Sequence, residues 1–208
     1  EEVRSRVELG DMVTLAREFA RLWPTVLSKA LDDRVGLFVM LEALRYLDRH
    51  EVEIVAVATV QEEVGLRGAQ TAGFGLEPDV AIALDITIAG DVPGIDAADR
   101  VTRLAGGVAI KVYDSSHIPS RPLVDHLRAV ADQHGIRYQL EVLPRGGTDA
   151  GALQRARAGV PAVTLSIPTR HVHTVNEMAH VEDIAAAVDL LRYYLAEAHE
   201  RTYQPYSW

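Results

Sequence analysis

The sequence predicts an α/β fold, a three-layer sandwich in which a mostly parallel central sheet is covered by helices on both faces. Short apolar runs alternate along the chain with longer segments whose apolar residues recur at helical spacing. The short runs are apolar on both of their faces, as in sheets that are buried on both sides. Hydrophobic residues make up 48% of the 208 residues, which is enough for a sizeable core.

The elements of the first third of the chain are predicted from apolar spacing and from loop-forming residues. In chain order they are a strand at 12–16, a loop at 23–24, a helix at 34–49, a strand at 52–60 and a helix at 66–73. The longer helix follows from apolar residues at helical spacing, such as Val35, Val39 and Leu44. The second strand is an unbroken apolar run, which is typical of a buried strand.

The remaining elements continue the alternation of strands and helices. The predicted strands lie at 80–85, 107–112, 137–142 and 162–167, and the predicted helices at 120–135, 148–159 and 181–199. Ser120 is a preferred residue for starting a helix, and Gly135 for ending one. Gly159 ends the next helix, because Pro161 just beyond it cannot continue a helix.

Composition excludes several classes of function. The net charge of -9 argues against binding nucleic acid or an anionic membrane surface. The chain has no cysteine, so any metal ion must be bound by His, Asp and Glu. No apolar run approaches the length of a membrane span, and no signal peptide is recognisable. We therefore expect a cytoplasmic protein.

Acidic and imidazole side chains follow the predicted strands, at the sheet edge where α/β folds bind ligands. Glu62 and Glu63 follow one strand, Asp85 ends another, and His171 and His173 follow the last strand. Each has an ordinary explanation when taken alone, because a single aspartate at a strand end often forms a turn and surface histidines are common. Their shared position at one edge instead suggests a site.

Asp32 and Asp33 add two carboxylates at the start of the first long helix. For Asp33 alone we prefer a role as a helix cap. Several acids at one edge repel one another unless cations are present. Two divalent metals about 3.5–4 Å apart can share one carboxylate and one water, and they lower the pKa of that water toward about 7. Such a centre also needs a carboxylate base, and the pair Glu62 and Glu63 could supply one ligand and one base.

Paired acids also catalyse glycoside hydrolysis, in which the two carboxyl groups lie about 5–9.5 Å apart. Neighbouring residues in a strand point to opposite faces, which disfavours Glu62 with Glu63 as such a pair. A pair formed by one of these glutamates and Asp85 remains open.

Five motifs, taken in order, resemble the catalytic domain of the tetrahedral (TET) aminopeptidases. They are KALDDRVG at 29–36, QEEVGLRGA at 61–69, ALDITIAGDVPG at 83–94, GGTDAGALQ at 146–154 and IPTRHVHTVNE at 167–177. These relatives are dinuclear metallopeptidases, including glutamyl and deblocking aminopeptidases, and are often labelled endoglucanases. The resemblance implies a metallopeptidase catalytic domain at 21–208. It implies that residues 1–20 are a remnant of an inserted β-rich, PDZ-like dimerisation domain.

The resemblance also implies roles for single residues. The implied ligands of two divalent metal ions, zinc or cobalt, are Asp32, Glu63, Asp85 and His173. Asp32 would bridge the metals and be joined to the next residue by a cis bond, while Glu63 and His173 would bind one metal and Asp85 the other. Glu62 would be the general base. The implied substrate-binding residues are Thr148, Asp149 and Arg170, although Asp149 could also serve only as a cap of its helix. His171 is expected to be a surface residue.

This sequence departs from its relatives at the N-terminal side. Relatives carry an upstream His-x-Asp motif whose histidine completes the shell of the metal that Asp85 binds, and this chain contains neither that motif nor most of the PDZ-like domain. We therefore expect the first strand of the fold and one metal ligand to be missing. The preferred hypothesis is part of an active aminopeptidase that acts on short peptides and self-associates, from dimer to dodecamer in relatives. The alternative is an inactive or single-metal assembly subunit.

Overall fold

The computed structural model describes residues 1–203, in which a seven-stranded sheet is flanked by helices. The strands are β1 (Ala20–Leu22), β2 (Thr25–Ser28), β3 (Ala81–Ile88), β4 (Val108–Asp114), β5 (Tyr138–Leu143), β6 (Ala162–Arg170) and β7 (Glu177–His180). The α-helices are α1 (Leu31–Arg45), α2 (Arg67–Leu76), α3 (Arg121–Gln133), α4 (Asp149–Leu153) and α5 (Val181–Glu197). Short 3-10 turns lie at Val3–Ser5, Ala97–Asp99 and Ala198–Glu200.

Strand β6 is the centre of the sheet. It pairs in parallel with β3 along one edge, and its other edge pairs with β4 and then with β7, both antiparallel. β4 and β5 are parallel, whereas β7, β2 and β1 continue the sheet as antiparallel neighbours. The two longest ladders, β3 with β6 and β4 with β5, are parallel. The short strands β1, β2 and β7 are antiparallel because the short connections around Trp23-Pro24 and between β6 and β7 allow only that pairing.

Helices cover both faces of the sheet, which confirms the three-layer architecture. On one face α1, α3 and α5 pack together over a core that includes Val39, Leu127 and Leu165. On the other face α2 and α4 pack over a smaller core made largely of alanines. Strand β3 serves both cores because successive side chains point to opposite faces: Ala83 belongs to the small core and Leu84 packs on the large one.

The predicted strand at 52–60 is wrong in one respect: the segment is extended but, within the described residues 1–203, it pairs with no strand. An open cleft of about 750 Å³ lies between residues 52–56 and the free edge of β3. Val55, on the wall of this cleft, is 52% exposed. Among residues 1–203, no neighbouring strand pairs with the backbone of this apolar run. The missing first strand stays a prediction.

Other predicted elements are confirmed with shifted ends or are not formed. The strand expected at 12–16 is absent, and residues 11–19 are exposed and irregular. The first long helix begins at Leu31 and ends at Arg45, and the helix expected to reach residue 159 ends at Leu153. The proposed division at residue 20 stays a prediction, and residues 204–208 of the proposed catalytic domain lie outside the described residues. None of the helices in residues 1–203 combines the length and apolar character needed to cross a bilayer.

Candidate metal centre

Four separate parts of the fold bring their acidic or imidazole side chains to one cavity of about 420 Å³. Asp32 lies at the start of α1, and Glu62 and Glu63 lie in the turn between the extended segment and α2. Asp85 lies in β3, and His173 lies in the loop between β6 and β7. All five side chains line the cavity, so the predicted metal ligands and the predicted base come together.

Asp32, Glu63 and His173 form a group that suits one metal ion. The Nε2 atom of His173 lies 3.2 Å from Asp32 Oδ2 and 3.4 Å from Glu63 Oε2. One potential ligand atom from each of the three residues lies within 4.8 Å of the others. An imidazole and two carboxylates are a donor set that zinc and related divalent ions accept.

A second group consists of Asp32, Asp33 and Asp85, whose carboxylate oxygens also lie within 4.8 Å of one another. Asp32 belongs to both groups, as a bridging carboxylate would, and its bond to Asp33 is cis. Asp33 accepts a hydrogen bond from the N–H of Gly36 at 3.2 Å, so the capping role preferred for it is present. Its place beside Asp85 was not anticipated from the sequence.

Three carboxyl groups of the cavity, those of Asp32, Glu62 and Asp85, have a raised pKa. Burial and the neighbouring Glu63 raise the pKa of Asp32 to about 6. Burial, with Asp149 and Glu63 nearby, raises the pKa of Glu62 to about 7, and burial raises the pKa of Asp85 well above its ordinary value. These shifts are the expected result of burying acids and placing them close together. Divalent cations would relieve the crowding, so the residues present fit a metal centre.

Two of the predicted substrate-binding residues lie at the start of α4. Thr148 is buried, lines the cavity, and shares a hydrogen bond of 2.7 Å with the hydroxyl of Thr164. Asp149 accepts a hydrogen bond of 2.6 Å from the hydroxyl of Thr59. Its charge also contributes to the raised pKa of Glu62.

The third predicted substrate-binding residue, Arg170, is engaged within the protein. Its Nε and one terminal nitrogen each donate a hydrogen bond of 2.8 Å to the carboxylate of Asp91. Burial alone would raise the pKa of Asp91, but the Arg170 guanidinium holds it below its ordinary value. Contact between Arg170 and a substrate stays a prediction.

Sequence reasoning missed Glu177, which closes the last of the five motifs but received no role. Glu177 is 2% exposed, and its carboxylate accepts hydrogen bonds from the backbone N–H groups of Asp32 and His173. The available signal was an acidic residue four positions after His173, at the start of a short strand.

Known proteins resemble this chain over most of its length. The sequence profile described as M42 glutamyl aminopeptidase matches residues 1–190. The lysyl aminopeptidase of Pyrococcus furiosus is 39% identical over 176 residues, which are 84% of this chain and 49% of that protein. The chain spans about half the length of the curated relatives it matches.

Solved structures agree with the sequence matches. Aminopeptidase APDkam598 from the archaeon Desulfurococcus kamchatkensis superposes with a TM-score of 0.92 at 42% identity, covering 94% of this chain and 56% of that one. The TET1 peptidase of Pyrococcus horikoshii, which can assemble into a tetrahedron or a large octahedral shell, has a TM-score of 0.79 at 32% identity. That match covers 94% of this chain and 58% of the other.

Proposed function

Because the chain belongs to the M42 glutamyl aminopeptidase family, we propose that it is the catalytic part of a dinuclear metal-dependent aminopeptidase that removes N-terminal residues from short peptides. The observation that carries the proposal is the pair of potential metal-binding groups that share Asp32. Glu62 lines the same cavity but belongs to neither group, as a base that is not a ligand would.

The proposed mechanism assigns a separate task to each acidic side chain. When bound, two divalent metal ions, zinc or cobalt, would polarise the scissile carbonyl and lower the pKa of the attacking water. Asp32 would contact both ions, Glu63 and His173 one of them, and Asp85 the other. Glu62 takes the proton of the water and later gives it to the leaving amine.

The cavity also has room for the substrate. Its remaining wall includes the apolar side chains Leu66, Ile88, Leu143 and Val172, against which the first side chain of a peptide could pack. The proposed substrate-binding residues, which would contact the peptide or the side chains next to it, are Thr148, Asp149 and Arg170. As in the assembling relatives, the protein would self-associate, with residues 1–20 as a remnant of the dimerisation domain. It would act in the cytoplasm, without nucleic acid or membrane partners.

Glu62→Gln tests the proposal most directly. The change removes the base but keeps the size of the side chain and both metal groups. Turnover of an aminoacyl p-nitroanilide should fall at least about 100-fold, which is the typical contribution of a general base. Metal content should stay at two ions per chain. In the unchanged protein, chelation should abolish turnover and added zinc or cobalt should restore it.

Glu63→Gln is the matched control, because it makes the same chemical change one residue away. It should lose metal, whereas Glu62→Gln should not. A folded, metal-loaded protein without any turnover would contradict the proposed activity. One metal per chain without turnover would instead support the single-metal assembly subunit. The observation behind that alternative is the group of Asp32, Asp33 and Asp85, which offers three carboxylates and no imidazole.

A further inference from the structure

We propose that Glu177 is a positioning residue of the metal centre, whose carboxylate fixes the backbone of the two segments that carry Asp32 and His173. The inference rests on the proposed function, because that function makes Asp32 and His173 ligands of one metal.

The contacts of Glu177 join two distant parts of the chain. Its Oε2 accepts a hydrogen bond of 3.1 Å from the N–H of Asp32, and its Oε1 accepts one of 3.0 Å from the N–H of His173. Glu177 is the first residue of β7 and lies opposite Ser28 in the antiparallel ladder with β2. The carboxylate is therefore held by the sheet and uses both oxygens to hold the two ligand segments.

His173 depends on such support because little else fixes it. Its side chain is 65% exposed, so packing does not hold the imidazole in place. Its φ of 61° is in the left-handed region, which residues with side chains seldom adopt unless their surroundings hold them there. The hydrogen bond from its N–H to Glu177 supplies that constraint at the residue whose imidazole must face Asp32 and Glu63.

The charge of Glu177 also points to a nearby cation. Among the described residues 1–203, no Lys, Arg or His side chain forms an ion pair with its buried carboxylate. A buried charge is costly unless it is paired or well hydrogen-bonded. The two backbone N–H groups compensate part of that cost, and an ion bound by Asp32 and His173 would compensate more.

Glu177→Gln tests this role, and Asp183→Asn is its matched control. Asp183, in α5, is fully buried and also accepts two backbone hydrogen bonds, from Ala105 at 2.8 Å and Gly107 at 2.7 Å. It does not line the metal cavity. Each change keeps the shape of the side chain and replaces one acceptor oxygen by a donor. Both variants should therefore lose a comparable amount of thermal stability in the metal-free state.

The two variants should differ in how they bind metal. Zinc affinity, measured by competition with a chelator, should fall about 10–100-fold in Glu177→Gln, as is typical when a group that orients a metal ligand is lost. The visible absorption spectrum of the cobalt-loaded protein should change as well. Asp183→Asn should keep the zinc affinity and the cobalt spectrum of the unchanged protein. Unchanged zinc affinity and cobalt spectrum in Glu177→Gln would overturn the inference, as would an equal loss of affinity in Asp183→Asn.

Glu177→Asp covers the case in which Glu177→Gln does not fold. It keeps the charge and both acceptor oxygens but shortens their reach, so zinc affinity should fall below that of the unchanged protein, and unchanged affinity would overturn the inference. If the unchanged protein binds no metal, this inference and the proposed function both fail. If it binds metal with the expected dependence on Glu177 but hydrolyses no peptide, only the proposed function fails.

Discussion

Asp32 shows how much a single side chain contributes to the candidate site. It contacts His173 at 3.2 Å, and it belongs to both potential metal-binding groups. The sequence could predict that one cavity is lined by Asp32, Glu62, Glu63, Asp85 and His173, because the motifs place these acidic and imidazole side chains after the strands and at the helix start that meet there. Their separate roles stay predictions. The sequence could not predict Glu177, because its role depends on which backbone N–H groups its carboxylate meets. Its contact with Asp32 joins residues that only the fold brings together.

His173→Ala should remove one metal ion, whereas His171→Ala should not. Both histidines lie in the same loop with positive φ angles, but only His173 faces Asp32 and Glu63. We expect the zinc content of the His173 variant, measured after dialysis, to fall from two ions per chain to one or none. Equal zinc content in the two variants would contradict the assignment of His173.

At the scale of elements, the turn after β4 supports the start of α4. Asp114 accepts hydrogen bonds from the N–H and hydroxyl of Ser116 and from the N–H of His117, at 2.6–2.9 Å. A side chain at Gly147 or Gly151 would collide with Ser116, since an added Cβ would lie 2.7 Å from the Cβ of Ser116. The turn therefore packs directly beneath the segment that carries Thr148 and Asp149.

The buried charges around this turn predict how stability depends on pH. Lys111 lies 2.8 Å from Glu141 and 3.7 Å from Asp114, and His117 lies 3.0 Å from Asp114. Burial alone would raise the pKa of Asp114, but the hydrogen bonds from His117 and Ser116 hold it well below the ordinary value of 3.8. A lowered folded-state pKa stabilises the protein above that ordinary value, and the contribution is lost as pH falls below it.

Asp114→Asn should therefore destabilise the protein at pH 7 by about 1–3 kcal/mol, the usual cost of depriving buried donors of a charged acceptor. The variant should also lose less stability than the unchanged protein between pH 4 and pH 2. Urea unfolding at several pH values measures both effects. Asp125→Asn is the control, since Asp125 forms an exposed pair with Arg121 that should contribute less than about 1 kcal/mol. The same acid dependence in both variants would refute the role of Asp114.

The elements differ in how far the sequence could predict them. The sequence predicts strands β3 to β6 and helices α1, α3 and α5 with ends that lie within a few residues of the observed ones. Apolar residues at regular spacing over a long segment indicate a buried helix or strand. Strands β1, β2 and β7 are three or four residues long and exist because they pair with one another and with β6, which no local pattern records. The prediction of a strand at 52–60 was wrong for the opposite reason. Its local apolar pattern is that of a strand, but strand pairing needs a neighbouring strand.

At the scale of the whole molecule, the cleft beside β3 exposes the edge of that strand together with apolar side chains such as Val55. An unpaired strand edge tends to pair with another chain, and natural proteins protect such edges with charged residues. Val55→Lys would place a charge on the wall of the cleft at a half-exposed position. We expect weaker self-association in sedimentation velocity, with the unfolding midpoint nearly unchanged.

Leu41→Lys serves as the comparison for Val55→Lys. Leu41 is similarly exposed, at 55%, but lies on the outer surface of α1 and not in the cleft lining. The cleft is the association surface only if the Val55 variant dissociates more than the Leu41 variant. Equal sedimentation of the two variants would mean that another surface mediates association.

The segment at residues 51–63 should open more readily than the strands of the sheet. Within residues 1–203 it pairs with no strand, and its links to the rest of the fold include the hydrogen bond from Thr59 to Asp149 and the approach of Glu63 to His173. An ion held by Glu63 and His173 would clamp the segment to the sheet, and its removal would lower the free energy of local opening. Proteases should then cut between residues 51 and 66 faster after chelation, so the cleavage rate would report how fully the site is loaded.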